Sequence, residues 1–172
     1  IYTTAELALK LWDTLWQAGK KYGLIAAGRG AFNSMRLEKG YRSYGTDMTS
    51  EHNPHEAGLS FAVRKGGGFK GAEAFNELDP NGLTRRLVCL VLENPKHVVL
   101  GKEPVLHQGN VVGYVTSAYF GHTIGRQLAY AWVPAELSSQ GTLLSIRYFD
   151  RDYPATVGQD PQYDPQMTRL KS

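Results

Sequence analysis

The sequence predicts an α+β chain: a helical, loop-rich first portion through about Leu78, then an all-β portion from Arg85 onward. Three observations predict it. Leu7, Leu11 and Leu15 recur at helical spacing, with Ala8 and Trp12 beside them. Asp79-Pro80-Asn81-Gly82 is a concentrated turn signal, and the domain boundary is placed there, giving portions 1–78 and 83–172. Beyond it, short β-rich runs alternate with turn residues at regular spacing, the pattern of an antiparallel barrel or sandwich.

Thr3-Thr4-Ala5-Glu6 reads as a capping box, with the Thr3 hydroxyl accepting an amide proton three residues on and Glu6 reaching back. The helix it opens stops at Gly19 or Gly23. Trp12 and Trp16 are read as core residues of that helix. A second, shorter helix runs from Arg29 to Glu38, with Phe32 and Met35 as its apolar face, and Gly40 ends it. Tyr41 to Pro54 is loop, rich in Ser, Thr, Asn, Asp and Gly. Leu59–Val63 reads as a strand, Gly66-Gly67-Gly68 as a turn without the spacing of a phosphate loop, and Gly71 to Leu78 as a helix.

In the second portion the expected strands are Arg85–Leu92, Val98–Leu100, Pro104–Leu106, Asn110–Ser117, Gln127–Val133, Thr142–Phe149 and Tyr153–Val157. Glu93-Asn94-Pro95, Gln108-Gly109-Asn110, Ser138-Ser139-Gln140-Gly141 and Arg151-Asp152 separate them. The longest apolar run, Leu87 to Leu92, fits a buried strand and is far short of the ~20 residues that span a bilayer.

The chain has 172 residues and a formal net charge of +3, with its Lys and Arg scattered. That distribution argues against a nucleic-acid-binding face. Cys89 is the only cysteine, so an internal disulfide is excluded, and its place in an apolar strand suggests a buried, inert thiol. His52, His55, His97, His107 and His122 show no metal-ligand spacing, so no metal site is expected. No Gly-x-Ser-x-Gly elbow or dinucleotide fingerprint is present, so no flavin or nicotinamide site is expected within this segment. Arg36 and Glu38 lie two apart on a helix and so on different faces, which predicts that Arg36 fixes some other carboxylate or carbonyl.

The order of motifs carries a resemblance. Asn33-Ser-Met-Arg-Leu-Glu-Lys-Gly-Tyr-Arg-Ser-Tyr-Gly-Thr-Asp-Met48 is followed six residues later by Pro54-His-Glu-Ala-Gly-Leu-Ser-Phe-Ala-Val63. Then come Phe69-Lys70-Gly71-Ala72-Glu73-Ala74-Phe75, Arg85 to Leu90, Gly113-Tyr114-Val115-Thr116-Ser117, and Ala129-Tyr130-Ala131-Trp132-Val133-Pro134. Together these resemble the folate-binding aminomethyltransferase family, which holds the glycine cleavage T-protein. Ala118 stands where that family usually has glycine. The ending Tyr163-Asp164-Pro165-Gln166-Met167-Thr168-Arg169-Leu170 is more similar to the dimethylglycine and sarcosine oxidase/dehydrogenase branch.

The resemblance implies the C-terminal part of an aminomethyltransferase-like folate-binding domain followed by an antiparallel β-barrel. It implies tetrahydrofolate as cofactor, with FAD bound in a separate domain or chain. Glu38 falls on the family's pterin-recognition glutamate, where a carboxylate can accept two donors from one pterin edge in a fork. Tyr44 and Glu56 match family positions beside the folate cleft, and could equally brace the loop. Arg64 is the candidate for the anionic glutamate tail of folate, with surface charge as the competing reading. The family's catalytic aspartate lies before Ile1, so the catalytic group is unassigned. The chain is expected to be a fragment, processed piece or subunit, completed by a partner carrying the N-terminal half of the folate domain and an FAD domain. Neither nucleic acid nor membrane is an expected partner, and the expected compartment is the cytoplasm, or the mitochondrial matrix in a eukaryote. The function so implied is the one-carbon transfer part of an FAD-dependent N-methyl amine oxidase or dehydrogenase. The alternatives are a stand-alone aminomethyltransferase or folate-dependent demethylase, and an assembly subunit that does not bind folate.

Overall fold

The computed structural model describes residues 1–171; Ser172, the last residue of the expected second portion, lies outside the described residues. The chain forms two compact units, Ile1–Phe32 and the remainder from Asn33. The segment after Phe32 groups with the barrel because it is bonded to the end of the β-strand at residues 110–121 and to the turn that follows it.

The first unit holds a 3-10 turn, Ala5–Leu7, running into α1 (Ala8–Gly19) and a further 3-10 turn, Lys20–Tyr22. The capping box does not form. Thr4 takes the cap position without a side-chain bond, and its carbonyl accepts the Leu7 amide at 3.2 Å. Gly23, at φ +73°, is the stop. Trp12 and Trp16 stack with ring centroids 5.9 Å apart, but Trp12 is 54% exposed, so it is not the core residue expected. Leu9, Leu15, Tyr22 and Ile25 are exposed with it.

α2 (Arg29–Glu38) occupies the expected span. Its buried residues are Ser34, Arg36, Leu37 and Glu38, while Phe32 and Met35 face solvent, the reverse of the apolar face expected. Gly40, at φ +77°, donates to the Leu37 carbonyl and Tyr41 to that of Arg36, the two bonds of a Schellman stop. The run Leu59–Val63 is not a strand. Its backbone bonds are local, Ala62 to Leu59 and Val63 to Ser60, giving a 3-10 turn at Ser60–Ala62 with Phe61 82% exposed. α3 (Ala72–Asn76) lies within its expected range.

The strands are β1 (Arg85–Leu92), β2 (Pro104–His107), β3 (Asn110–Gly121), β4 (Arg126–Pro134), β5 (Leu143–Tyr148) and β6 (Arg151–Val157). They close an antiparallel barrel in the order β1-β4-β3-β2-β5-β6, with β6 returning to β1. Val98–Leu100 forms no strand; Val99 instead joins the barrel core as coil. A terminal helix, α4 (Thr168–Lys171), follows.

Alternation on β1 and β4 builds two cores. Val88, Leu90 and Leu92, with Ala129, Ala131 and Val133, fill the barrel. Leu87 and Cys89, with Leu128, Tyr130 and Trp132, point outward and pack with Leu37 and Ala57. Both faces of these two strands are buried, which accounts for their nearly unbroken apolar sequences. This second core fixes the end of α2 and the loop after it against the barrel wall.

Candidate functional site

The last turn of α2 delivers Arg36, Leu37 and Glu38 to three surroundings. Leu37 enters the outer core. Arg36 reaches Asp47, with Nη1 on Oδ2 at 2.5 Å, while its Nη2 donates to Ser117 Oγ at 2.8 Å and its Nε to Asn33 Oδ1. Asp47 is fully buried and saturated. Its Oδ1 accepts from Thr116 Oγ1 (2.6 Å) and Ser117 Oγ (2.5 Å), its Oδ2 also from the Ser43 amide (2.8 Å), and its carbonyl from Trp132 Nε1 (2.9 Å). A register shift in β3 between Val115 and Ser117 lets two consecutive side chains serve one carboxylate. A buried ion pair is tolerated only when its remaining hydrogen-bonding groups are met, and here they are. Arg36 thus fixes a carboxylate other than Glu38, as expected, and Asp47 braces the loop.

Glu38 is 2% exposed, so it is not a solvated end-of-helix residue. Its Oε1 accepts the Thr123 and Ile124 amides of the β3–β4 turn at 2.6 and 3.0 Å. Neither bond goes to Oε2. A Cβ on Gly121 would lie 2.9 Å from Glu38 Oε1, so glycine is what admits the carboxylate here. Ser34 Oγ donates to the Phe120 carbonyl at 2.6 Å and Asn33 to the Tyr119 hydroxyl, so α2 is fastened along the end of β3. The outcome is a rigid carboxylate with one oxygen committed to the fold, in place of the free two-oxygen fork.

Glu56 braces the loop base. The Asn53 amide donates to its Oε2 (2.9 Å), the Glu56 amide donates back to Asn53 Oδ1 (3.0 Å), and Arg85 Nε bonds Oε1 at 3.0 Å. Burial alone would raise the Glu56 carboxyl, but the bonds from Arg85 and Asn53 outweigh it and hold it below the usual carboxylate range. Arg85 also lies over the Trp132 ring at 5.4 Å, and His52 stacks on Trp132 at 4.2 Å. Tyr44 is 71% exposed, in a turn closed by the Gly45 amide on the Met48 carbonyl. Arg64 is exposed beside an open pocket of about 400 Å³ with Val63 and Phe69. Among the described residues no hydrogen bond or ion pair joins Tyr44 or Arg64 to Glu38 or Glu56.

One cluster has no counterpart in the sequence reading. Asp160 accepts from the Tyr130 hydroxyl and from Arg42 Nη2, both at 2.5 Å, and Arg42 lies over the Tyr130 ring. The three residues are far apart in the chain, and only the Tyr130 strand was legible. Burial, reinforced by Asp160, pushes the Tyr130 hydroxyl up and likewise the Cys89 thiol, consistent with an inert cysteine. Beside this cluster lies a cleft of about 470 Å³ bordered by Gly40, Arg42, Phe61, Asp160 and Met167. Among the described residues no acidic, His and Cys group could hold a metal, and no helix is long and apolar enough to cross a membrane.

The closed antiparallel barrel and the helical segment packed on its wall both find counterparts among known proteins. Two family models match in sequence order, the GCVT N-terminal domain over residues 1–66 and the Glycine cleavage T-protein C-terminal barrel domain over 85–164. The chain belongs to the glycine cleavage T-protein family. It is 36% identical to mitochondrial dimethylglycine dehydrogenase of Rattus norvegicus and 38% identical to the formaldehyde-forming 4-methylaminobutanoate oxidase of Paenarthrobacter nicotinovorans, over 99% of its length in each case. The solved aminomethyltransferase T of the Bartonella henselae glycine cleavage system superposes with a TM-score of 0.80 at 27% identity, covering 93% of this chain. The chain spans 20% and 21% of the first two proteins and 45% of the third.

Proposed function

We propose that this chain is the tetrahydrofolate-binding, one-carbon-transfer part of an FAD-dependent N-methyl amine oxidase or dehydrogenase acting on a dimethylglycine- or sarcosine-like amine. The likeness to a dehydrogenase and an oxidase of such amines along 99% of the chain carries the reading. Tetrahydrofolate, when bound, supplies the nucleophilic nitrogen that takes up the one-carbon unit released by amine oxidation. The FAD belongs to another part of the full protein, and the N-terminal half of the folate domain to a segment or subunit outside these residues. The turn at Asp79–Gly82 is retained as the border between folate-domain portion and barrel.

The residues of this chain bind and orient. Glu38 is the pterin acceptor: Oε1 is held by the Thr123 and Ile124 amides, which aims Oε2 at a donor on the pterin edge. A carboxylate held in this way loses little freedom when ligand arrives. Tyr44 and Glu56 flank the cleft, Glu56 through the loop that it and Arg85 hold. Arg64 meets the glutamate tail at the solvent edge.

The full-length protein tests this. Oxidation of the N-methyl amine with tetrahydrofolate present should yield methylene-tetrahydrofolate in place of free formaldehyde, with flavin recovered from the purified protein. Absence of flavin, with aminomethyl transfer intact, would favour the second reading, a stand-alone aminomethyltransferase, which the fold match to aminomethyltransferase T supports. Loss of both activities and of folate binding would leave an assembly subunit.

A further inference from the structure

After β6 the chain does not leave the fold. Residues 158–168 run back as a strap over the end of α2. The Gly158 amide donates to the Cys89 carbonyl at 2.8 Å. Asp160 takes Tyr130 and Arg42. The Tyr163 amide donates to the Glu38 carbonyl at 2.9 Å. Lys39 Nζ donates to the Asp164 carbonyl at 2.7 Å and to its Oδ2 at 2.9 Å, with both side chains largely buried. Asp164 Oδ1 then caps α4 through the Thr168 amide and hydroxyl. Three of these attachments fall on residues 38–42.

A helix leaves its last carbonyls without intrahelical partners, and the strap satisfies the carbonyl of Glu38. Glu38 is thereby held at two independent points, its main chain by the strap and its Oε1 by the β3–β4 turn. A glutamate has several rotatable bonds, so fixing only one end would leave Oε2 free to wander. The Lys39–Asp164 pair locks the strap one residue from Glu38. The Tyr163-Asp164-Pro165 motif at the chain's end thus acquires a role in the site.

We propose that the strap positions the Glu38 carboxylate for the pterin, with Lys39 and Asp164 as its positioning residues. The proposal rests on Glu38 being the pterin acceptor.

The test is tetrahydrofolate titration of the full-length protein carrying Asp164→Asn, Lys39→Met, Lys39→Arg, Glu38→Gln, or Glu38→Gln with Asp164→Asn. Asparagine still caps α4, so Asp164→Asn removes the ion pair and spares the helix. Asp164→Asn and Lys39→Met should each weaken folate binding about three- to tenfold, with Lys39→Arg restoring most of it, and Asp164→Asn should add less than about twofold once Glu38 is Gln. Unchanged affinity in Asp164→Asn, or the same loss in both backgrounds, would overturn the positioning role while Glu38→Gln still weakened binding. If Glu38→Gln binds like wild type, the pterin assignment fails and the positioning role fails with it.

Discussion

Arg36 and Asp47 form an ion pair of 2.5 Å with 6% and 0% of their side chains exposed, and every oxygen of the Asp47 carboxylate is engaged. This pair joins the helix bearing Glu38 to the loop bearing Tyr44 and, through Thr116 and Ser117, to the barrel.

Asp47→Asn keeps the shape but leaves the Arg36 guanidinium buried without a counter-charge. Removing one partner of a buried pair costs about 3–5 kcal/mol. Denaturant unfolding of the full-length protein should show a loss of this size in the domain that holds the pair. Asp152→Asn breaks the Arg147 pair on a half-exposed hairpin and should leave the midpoint nearly unchanged.

His52 gives a pH signature. Its Nδ1 accepts the Thr49 amide at 3.1 Å, it stacks on Trp132, and among the described residues its buried Nε2 has no partner. Burial first, then the Arg85 cation, hold its imidazole below the usual histidine value, against a smaller opposite pull from Glu56 and Glu51. Protonation therefore favours the unfolded chain. Stability should be full above about pH 6.5 and fall as the pH drops from there toward the lowered folded value. His52→Phe keeps the stacking and should flatten the thermal midpoint between pH 7.5 and 5.5; an unaltered pH slope would count against it. Asp164 responds in a separate window, because bonds from Thr168 and Lys39 hold its carboxyl down to about 2. Its contribution is full above the usual aspartate value, near 3.8, and is lost below that, as the pH approaches 2.

Arg64 tests the tail assignment. A pairing at the solvent edge is screened by salt. Arg64→Ala should weaken folate binding at low ionic strength, and its gap from wild type should close as salt is added. Polyglutamylated folate should suffer more than a pteroate lacking the tail. Equal impairment for both ligands at every salt concentration would mark a structural role and move the assignment to Lys65 or Lys70.

How far the fold was legible depended on how local its determinants are. β1 and β4 could be read because burial on both faces leaves an unbroken apolar run, and α2 because Gly40 marks its end. Leu59–Val63 has strand composition but no ladder to join, and Val98–Leu100 places Val99 in the core without pairing. Periodicity cannot reveal a missing partner. Thr3 offered a capping signature that the chain satisfied one residue later, through a carbonyl. In the candidate site, the motif drew attention to Glu38 but not to what holds it: the amides of Thr123 and Ile124 are backbone groups about 85 residues away, which side-chain patterns do not record. The same holds for Asp47, whose partners Thr116 and Ser117 meet it only because β3 shifts register.

The most direct measurement is the tetrahydrofolate affinity of full-length Glu38→Gln. Glutamine can keep its carbonyl on the Thr123 and Ile124 amides, so the turn survives, but it places an amide nitrogen where Oε2 should meet a pterin donor. Losing a charge-assisted bond in a buried site costs roughly 1.5–3 kcal/mol, so binding should weaken by about tenfold or more with little change in thermal midpoint. Wild-type affinity in Glu38→Gln would contradict the account, and would leave the carboxylate as a brace of the β3–β4 turn alone.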